Sequence, residues 1–121
     1  MIGFIKSLFG MGGEGIGPRE AVQRMNRGAV LVDVRESNEY ANGHAPAARH
    51  VPLGRIRSEG AAALDALQLA PESSEVLLIC QSGMRSRMAQ NALSKDAHRR
   101  YVNVEGGMAA WANSGLPVQR T

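Results

Sequence analysis

The chain is poor in cysteine, in aromatic side chains and in long apolar runs, and each shortage removes a class of protein. Cys80 is the single cysteine among 121 residues. It excludes an intramolecular disulfide framework and any zinc site built from paired thiols, and it suits a reducing, cytoplasmic compartment. Two tyrosines, two phenylalanines and one tryptophan leave little to stack on bases. The excess of 14 Lys and Arg over 11 Asp and Glu gives +3 and a pI near 9.6, but these charges are scattered and accompany no nucleic-acid-binding motif. The balance hints at small anionic partners and argues against nucleic acid.

No segment reaches the ~20 apolar residues that a membrane-crossing helix needs. The apolar start, Met1 to Gly10, is interrupted by Lys6 and is followed by Gly12-Gly13 without a small-residue cleavage site, so it does not read as a secretory signal. Ile2, Ile5 and Phe9 share one helical face, with Phe4 and Leu8 beside it. A short amphipathic helix over residues 1–9 could dock on the domain, on a protein or on a membrane surface, although a frayed or self-packed tail is the favoured reading.

What is present is a globular composition, 44% hydrophobic and 21% charged, in a length that builds one core. The sequence divides into an apolar, glycine-rich N-terminal segment, residues 1–14, and a domain, residues 15–121. Pro18 at a first helical position, with Glu20 in the first turn and Gly28 as the stop, predicts the first helix. The run Ala29 to Val34 is almost continuously aliphatic, as in a strand covered on both faces, and Glu75 to Cys80 repeats that pattern more clearly. Between them the pattern predicts a short helix from Ser37, a brief strand at Arg49 to Pro52, and a helix over 54–67 weakened at Gly60. A helix from Ser86 to about Asp96, a strand at Tyr101 to Val104, a turn at Gly106-Gly107 and a closing helix to Ser114 complete the chain, with Trp111 filling core space. This alternation predicts an α/β fold, a small central parallel sheet with helices on both faces, whose ligands bind beyond the carboxyl ends of the strands.

Cys80 stands at such a strand end. A lone cysteine in an apolar strand is most often an inert small hydrophobe. Its neighbours alter that reading, because the amides of Gln81 to Ser86, with Gly83 free to take positive φ, can curl into an anion-binding nest at a helix N-terminus. Cysteines in such places have pKa values of roughly 3.5–7.5, against about 8.5 for the free side chain. Arg85 and Arg87 oppose the dipole of the helix they open unless an anion lies between them, which points to an anionic ligand.

These residues resemble the rhodanese family. Leu31-Val32-Asp33-Val34-Arg35, Glu39-Tyr40, Gly43-His44 and His50-Val51-Pro52 are similar to its first signature region. Cys80-Gln81-Ser82-Gly83-Met84-Arg85-Ser86 is similar to its active-site loop, and Val104-Glu105-Gly106-Gly107-Met108 with Trp111 and Gly115 to Val118 to its end. Ala45-Pro46-Ala47-Ala48 departs from the pattern, standing where a bulky aliphatic and a glycine precede the alanine. The resemblance implies a three-layer rhodanese-like domain and a sulfurtransferase in which Cys80 takes a sulfane sulfur from thiosulfate or a persulfide donor. A thiol, cyanide or protein acceptor then removes it, and no cofactor or metal is needed.

In that reading Arg85 attracts the donor, the amides of 81–86 hold the sulfur anion, and Gln81, Ser82 and Met84 shape access. Asp33 and Arg35 support the site, with Arg35 expected to pair with Glu39. His44 and His50 read as structural, since a thiolate already formed needs no base. Two rivals remain: a cysteine-dependent phosphatase or arsenate reductase, whose loop has five residues between Cys and Arg where this chain has four, and a non-catalytic binding or regulatory module of the same fold.

Overall fold

The two aliphatic runs are adjacent strands. β2 (Val30–Asp33) and β4 (Glu75–Ile79) run parallel at the centre of the sheet, with Val30 opposite Val76 and Asp33 opposite Ile79. A computed structural model, which describes residues 13–70 and 73–120, adds β1 (Gly15–Ile16), β3 (Arg49–His50) and β5 (Arg100–Val104). The strand order is β1-β5-β4-β2-β3, and every pairing is parallel. Residues 1–9 lie outside the described residues.

Successive strand residues point to opposite faces, so one strand builds two cores. Val32, Val34, Val76 and Leu78 pack against α3 (Leu53–Glu59), the 3₁₀ helix Gly60–Leu67 that continues it, and α4 (Met84–Ala92). Leu31, Leu77, Ile79, Val102 and Val104 face the other way, onto α1 (Pro18–Met25) and α5 (Gly107–Asn113). The three layers follow from this division. Each buried Leu, Ile or Val contributes roughly 1.5–3 kcal/mol relative to exposure, so the sheet centre is the stable part of the molecule.

Several local features follow from single residues. Gly60, at φ +63, ends α3 where a weakened helix was expected. Trp111 is buried and donates from Nε1 to Pro117 O at 2.8 Å, which ties the C-terminal segment to α5. Ala47 sits at φ +69, in the segment that departs from the family pattern. An alanine there costs on the order of 1 kcal/mol that a glycine would not. β1 has no counterpart among the elements expected from the sequence. Two residues are too few for a periodic signal, and the strand exists because Asn103 N donates to Glu14 O and Glu105 N to Ile16 O along the edge of β5. Among the described residues no helix is long and apolar enough to cross a membrane, and no cluster of His, Cys, Asp and Glu is arranged to hold a metal ion.

Candidate active site at the Cys80 loop

β4 delivers Cys80 to the carboxyl edge of the sheet, and the chain then turns through Gln81, Ser82 and Gly83 into α4. Gly83 is the N-cap, at φ +101, and a Cβ on it would lie 3.1 Å from Gly106 N. Both facts call for glycine. α4 therefore begins at Met84, two residues before the start expected at Ser86. The first turn carries Met84 and Arg85, which are not core residues, so apolar periodicity could not mark it. The consequence is that Arg85 belongs to the first turn of α4 and not to the loop.

The Cys80 side chain has no exposed surface. Gly83 N donates to Sγ at 3.0 Å, and Ser86 Oγ lies 3.3 Å from Sγ. Burial pushes the thiol up. The Ser86 hydroxyl and the amides of Ser86, Gly83 and Ser82 outweigh it, and Cys80 ends below the ordinary thiol value. The loop keeps its amides turned inward because its carbonyls are held from outside: Met108 N donates to Cys80 O at 2.8 Å and Ala109 N to Gln81 O at 3.1 Å. These are orphan amides of the first turn of α5, so one helix end satisfies the back of the loop while another lies beneath the sulfur. Gly107 makes the approach feasible. At φ +56, it would place a Cβ 2.3 Å from Cys80 O. The sequence marks Gly106-Gly107 as a turn and as part of the segment similar to the family's end; its part in the site arises from the packing of α5 against the loop.

Two charged pairs flank this cradle. Arg35 and Asp33 are both buried, and Arg35 donates from Nε to Asp33 Oδ1 and Oδ2 at 3.1 Å and from Nη2 to Oδ2 at 2.9 Å. Its Nη2 also reaches Gly43 O at 2.7 Å, and its Nη1 reaches Gln81 Oε1 at 3.4 Å. The expected Arg35–Glu39 pair is thus replaced. Glu39 instead meets Arg85 through two contacts, Nη1 to Oε1 at 2.6 Å and Nη2 to Oε2 at 2.9 Å. The bidentate fork suits Arg85, and Glu39 is already placed by a capping box with Glu36 at the start of α2 (Ser37–Ala41). Gln81, Ser82 and Met84 form the exposed rim.

The histidines are spoken for. His44 is buried, its Nδ1 lies 2.7 Å from Tyr40 O, and its ring stacks on Tyr40 at 3.8 Å. His50 stacks on the same tyrosine at 4.5 Å, with Nε2 at 2.7 Å from Arg35 O. Asn103 was missed by the sequence reading. It is buried in β5, accepts from Ser86 Oγ at 2.5 Å and donates from Nδ2 to Gly83 O at 3.2 Å. The available signal was an amide side chain between Val102 and Val104 in an otherwise aliphatic stretch.

The Arg85–Glu39 pair carries a pH dependence. The Arg85 fork, assisted by the Glu36 amide against partial burial, holds the Glu39 carboxyl down at about 2. A folded-state value below the unfolded one of about 4.3 means stability that is complete above pH ~4.3 and lost as pH falls toward 2. Because about a third of each side chain faces solvent, the screened contribution is ~1 kcal/mol. Glu39→Gln should therefore unfold more easily in denaturant at pH 6, and the gap to the parent should shrink below pH ~4 and close only as pH falls through about 2. An equal gap at both pH values would show that the ion pair is not its source.

A fold with a cysteine cradled between strand end and helix start in this manner defines a class, and the comparisons agree with it. The family model for the rhodanese-like domain matches residues 17–114, and the chain belongs to that family. A sulfurtransferase of Allochromatium vinosum is 34% identical over 89 residues, which are 74% of this chain and 77% of that protein. A thiosulfate sulfurtransferase of Haemophilus influenzae is 27% identical over 106 residues, 88% of this chain and 94% of that one. This chain spans only 40% of the length of a Bacillus subtilis relative to which it is 37% identical over 81 residues. Among solved structures, a rhodanese-related protein of Thermoplasma volcanium superposes with a TM-score of 0.73 at 25% identity, covering 89% of this chain and 99% of that one.

Proposed function

We propose that the chain is a rhodanese-type sulfurtransferase that carries a sulfane sulfur on Cys80. The observation that carries this reading is the sulfur itself: it sits under the Gly83 amide and the Ser86 hydroxyl, and its pKa is lowered although it is buried. That environment stabilises an anion of one sulfur atom, both as the attacking thiolate and, one bond further out, as a persulfide. With thiosulfate, the Cys80 thiolate attacks the outer sulfur, a new S–S bond forms, and sulfite leaves with the electron pair of the bond that breaks. A thiolate or cyanide then attacks the outer sulfur of the persulfide and returns Cys80 as thiolate. Arg85 draws the anionic donor toward the rim, while Asp33 and Arg35 hold the neighbouring loop. The name of the Haemophilus influenzae relative supports thiosulfate as the first donor to try.

The four residues between Cys80 and Arg85 favour sulfur over phosphate, since a shorter ring presents fewer amides to a tetrahedral oxyanion. Incubation with thiosulfate should add the mass of one sulfur to the intact protein, a reductant should remove it, and an aryl phosphate should remain unhydrolysed. If neither thiosulfate nor a small persulfide left an adduct, the chain would have to be read as a binding module built on the same fold.

A further inference from the structure

Ser86 Oγ has two polar neighbours, Cys80 Sγ at 3.3 Å and Asn103 Oδ1 at 2.5 Å, and all three side chains are buried. The orientation of the amide is fixed by its other end. Gly83 O can only accept, so the group facing it at 3.2 Å must be Nδ2, which leaves Oδ1 toward Ser86. A hydroxyl carries one hydrogen, so it can donate to Oδ1 or to Sγ but not to both. We propose that Asn103 is a positioning residue that competes with the Cys80 sulfur for the Ser86 hydroxyl proton, so that the hydroxyl faces Asn103 over a neutral thiol and turns to the sulfur when it is anionic. This deepens the sulfurtransferase reading and rests on it for its purpose, because the device sets how readily the nucleophile forms.

With the thiol protonated, S–H donates to Ser86 Oγ and O–H donates to Oδ1. When the thiol proton leaves to water, the sulfur becomes an acceptor only, and the hydroxyl must turn to serve it. Oδ1 then loses its donor in a buried site. Ser86 therefore favours the thiolate and Asn103 opposes it, although the two touch each other. The charged groups on the surrounding elements are Arg85, with its partner Glu39, and Arg87 in α4, the Asp33–Arg35 pair at the end of β2, and Glu105 just after β5; α5 brings none. None of them needs to change for the hydroxyl to turn.

The test is the ultraviolet absorbance of the thiolate as a function of pH, which is specific because Cys80 is the single cysteine. Ser86→Ala should raise the midpoint and Asn103→Leu should lower it, each by about half to one pH unit, or about three- to tenfold in thiolate fraction. In the Ser86→Ala background, Asn103→Leu should move nothing. Loss of loop order alone would raise the midpoint in both variants, so opposite signs are the mark of competition. Ser86→Thr, which keeps a hydroxyl, should retain the parental value, and Asn103→Met serves if the leucine variant does not fold. A rise with Asn103→Leu, or an equal shift in both backgrounds, would overturn the proposal and assign Asn103 to the Gly83 carbonyl alone. Because no sulfur donor is present, these shifts can appear even if thiosulfate leaves no adduct, and that outcome would sink the transfer reading while this one stood.

Discussion

Cys80→Ser should reduce thiosulfate-dependent thiocyanate formation to the background of the reagents, a loss on the order of a thousandfold or more, the scale on which removal of a nucleophile acts. The serine oxygen would occupy the same cradle and could still accept from Gly83 N, as Sγ does at 3.0 Å. In the proposed transfer it could not do the chemistry, because its proton is lost only far above neutral pH and the proposed attack on the donor's sulfane sulfur requires a thiolate. The buried serine hydroxyl would find partners in Gly83 N and Ser86 Oγ, so stability should stay within about 1.5 kcal/mol of the parent. Activity and fold are thereby separated. Measured turnover unchanged by Cys80→Ser in a folded variant would remove Cys80 from the reaction.

The contrast with alanine sharpens the point. Cys80→Ala would leave Gly83 N without the sulfur acceptor it uses in a buried loop, and an unsatisfied buried donor costs ~1–3 kcal/mol. An inactive alanine variant would therefore mix loss of the nucleophile with loosening of the loop. An inactive serine variant would not. The adduct experiment follows the same logic, since the serine protein should gain no sulfur under conditions in which the parent gains one.

What could be read in advance depended on how local each signal was. β2 and β4 were legible because Leu31 to Asp33 and Val76 to Ile79 are buried on both faces, and near-continuous aliphatic sequence follows directly from that burial. The first helix was legible from Pro18 and Gly28, and Cys80 from its place at a strand end ahead of Gly83. The partners were not. Arg85 meets Glu39 across 46 residues and Ser86 meets Asn103 across 17, and neither spacing leaves a mark in the sequence. Arg35 was expected to pair locally with Glu39, but it lies before α2, on the extended chain leaving β2. There the nearest carboxylate is Asp33, two residues back on the same face. Gly107 was visible as a residue and not as a requirement, because what its missing Cβ makes room for is the carbonyl of Cys80.

The Asp33–Arg35 pair carries the second large effect, and it concerns stability. Arg35→Met removes three side-chain hydrogen bonds to Asp33 and leaves a carboxylate with no exposed surface among the strand ends. The Arg35 backbone amide, at 2.9 Å from Oδ1, would remain as a donor but brings no countercharge. Leaving one member of a buried pair uncompensated costs about 3–5 kcal/mol. In a domain of roughly 100 residues this lowers Tm by roughly 15–30 °C. The loss should be read by denaturant unfolding as well as by heat. It should be largely recovered in Asp33→Leu/Arg35→Met, because replacing both charges by apolar side chains removes the desolvation cost along with the attraction. Recovery of stability need not restore activity: Arg35 also reaches Gly43 O and Gln81 Oε1, so the apolar pair would stand as a folded domain whose sulfur loop has lost its tether to β2. If the double variant were as unstable as Arg35→Met alone, the cost would lie in the contacts of Arg35 with the two loops, and the buried charge of Asp33 would not be its origin.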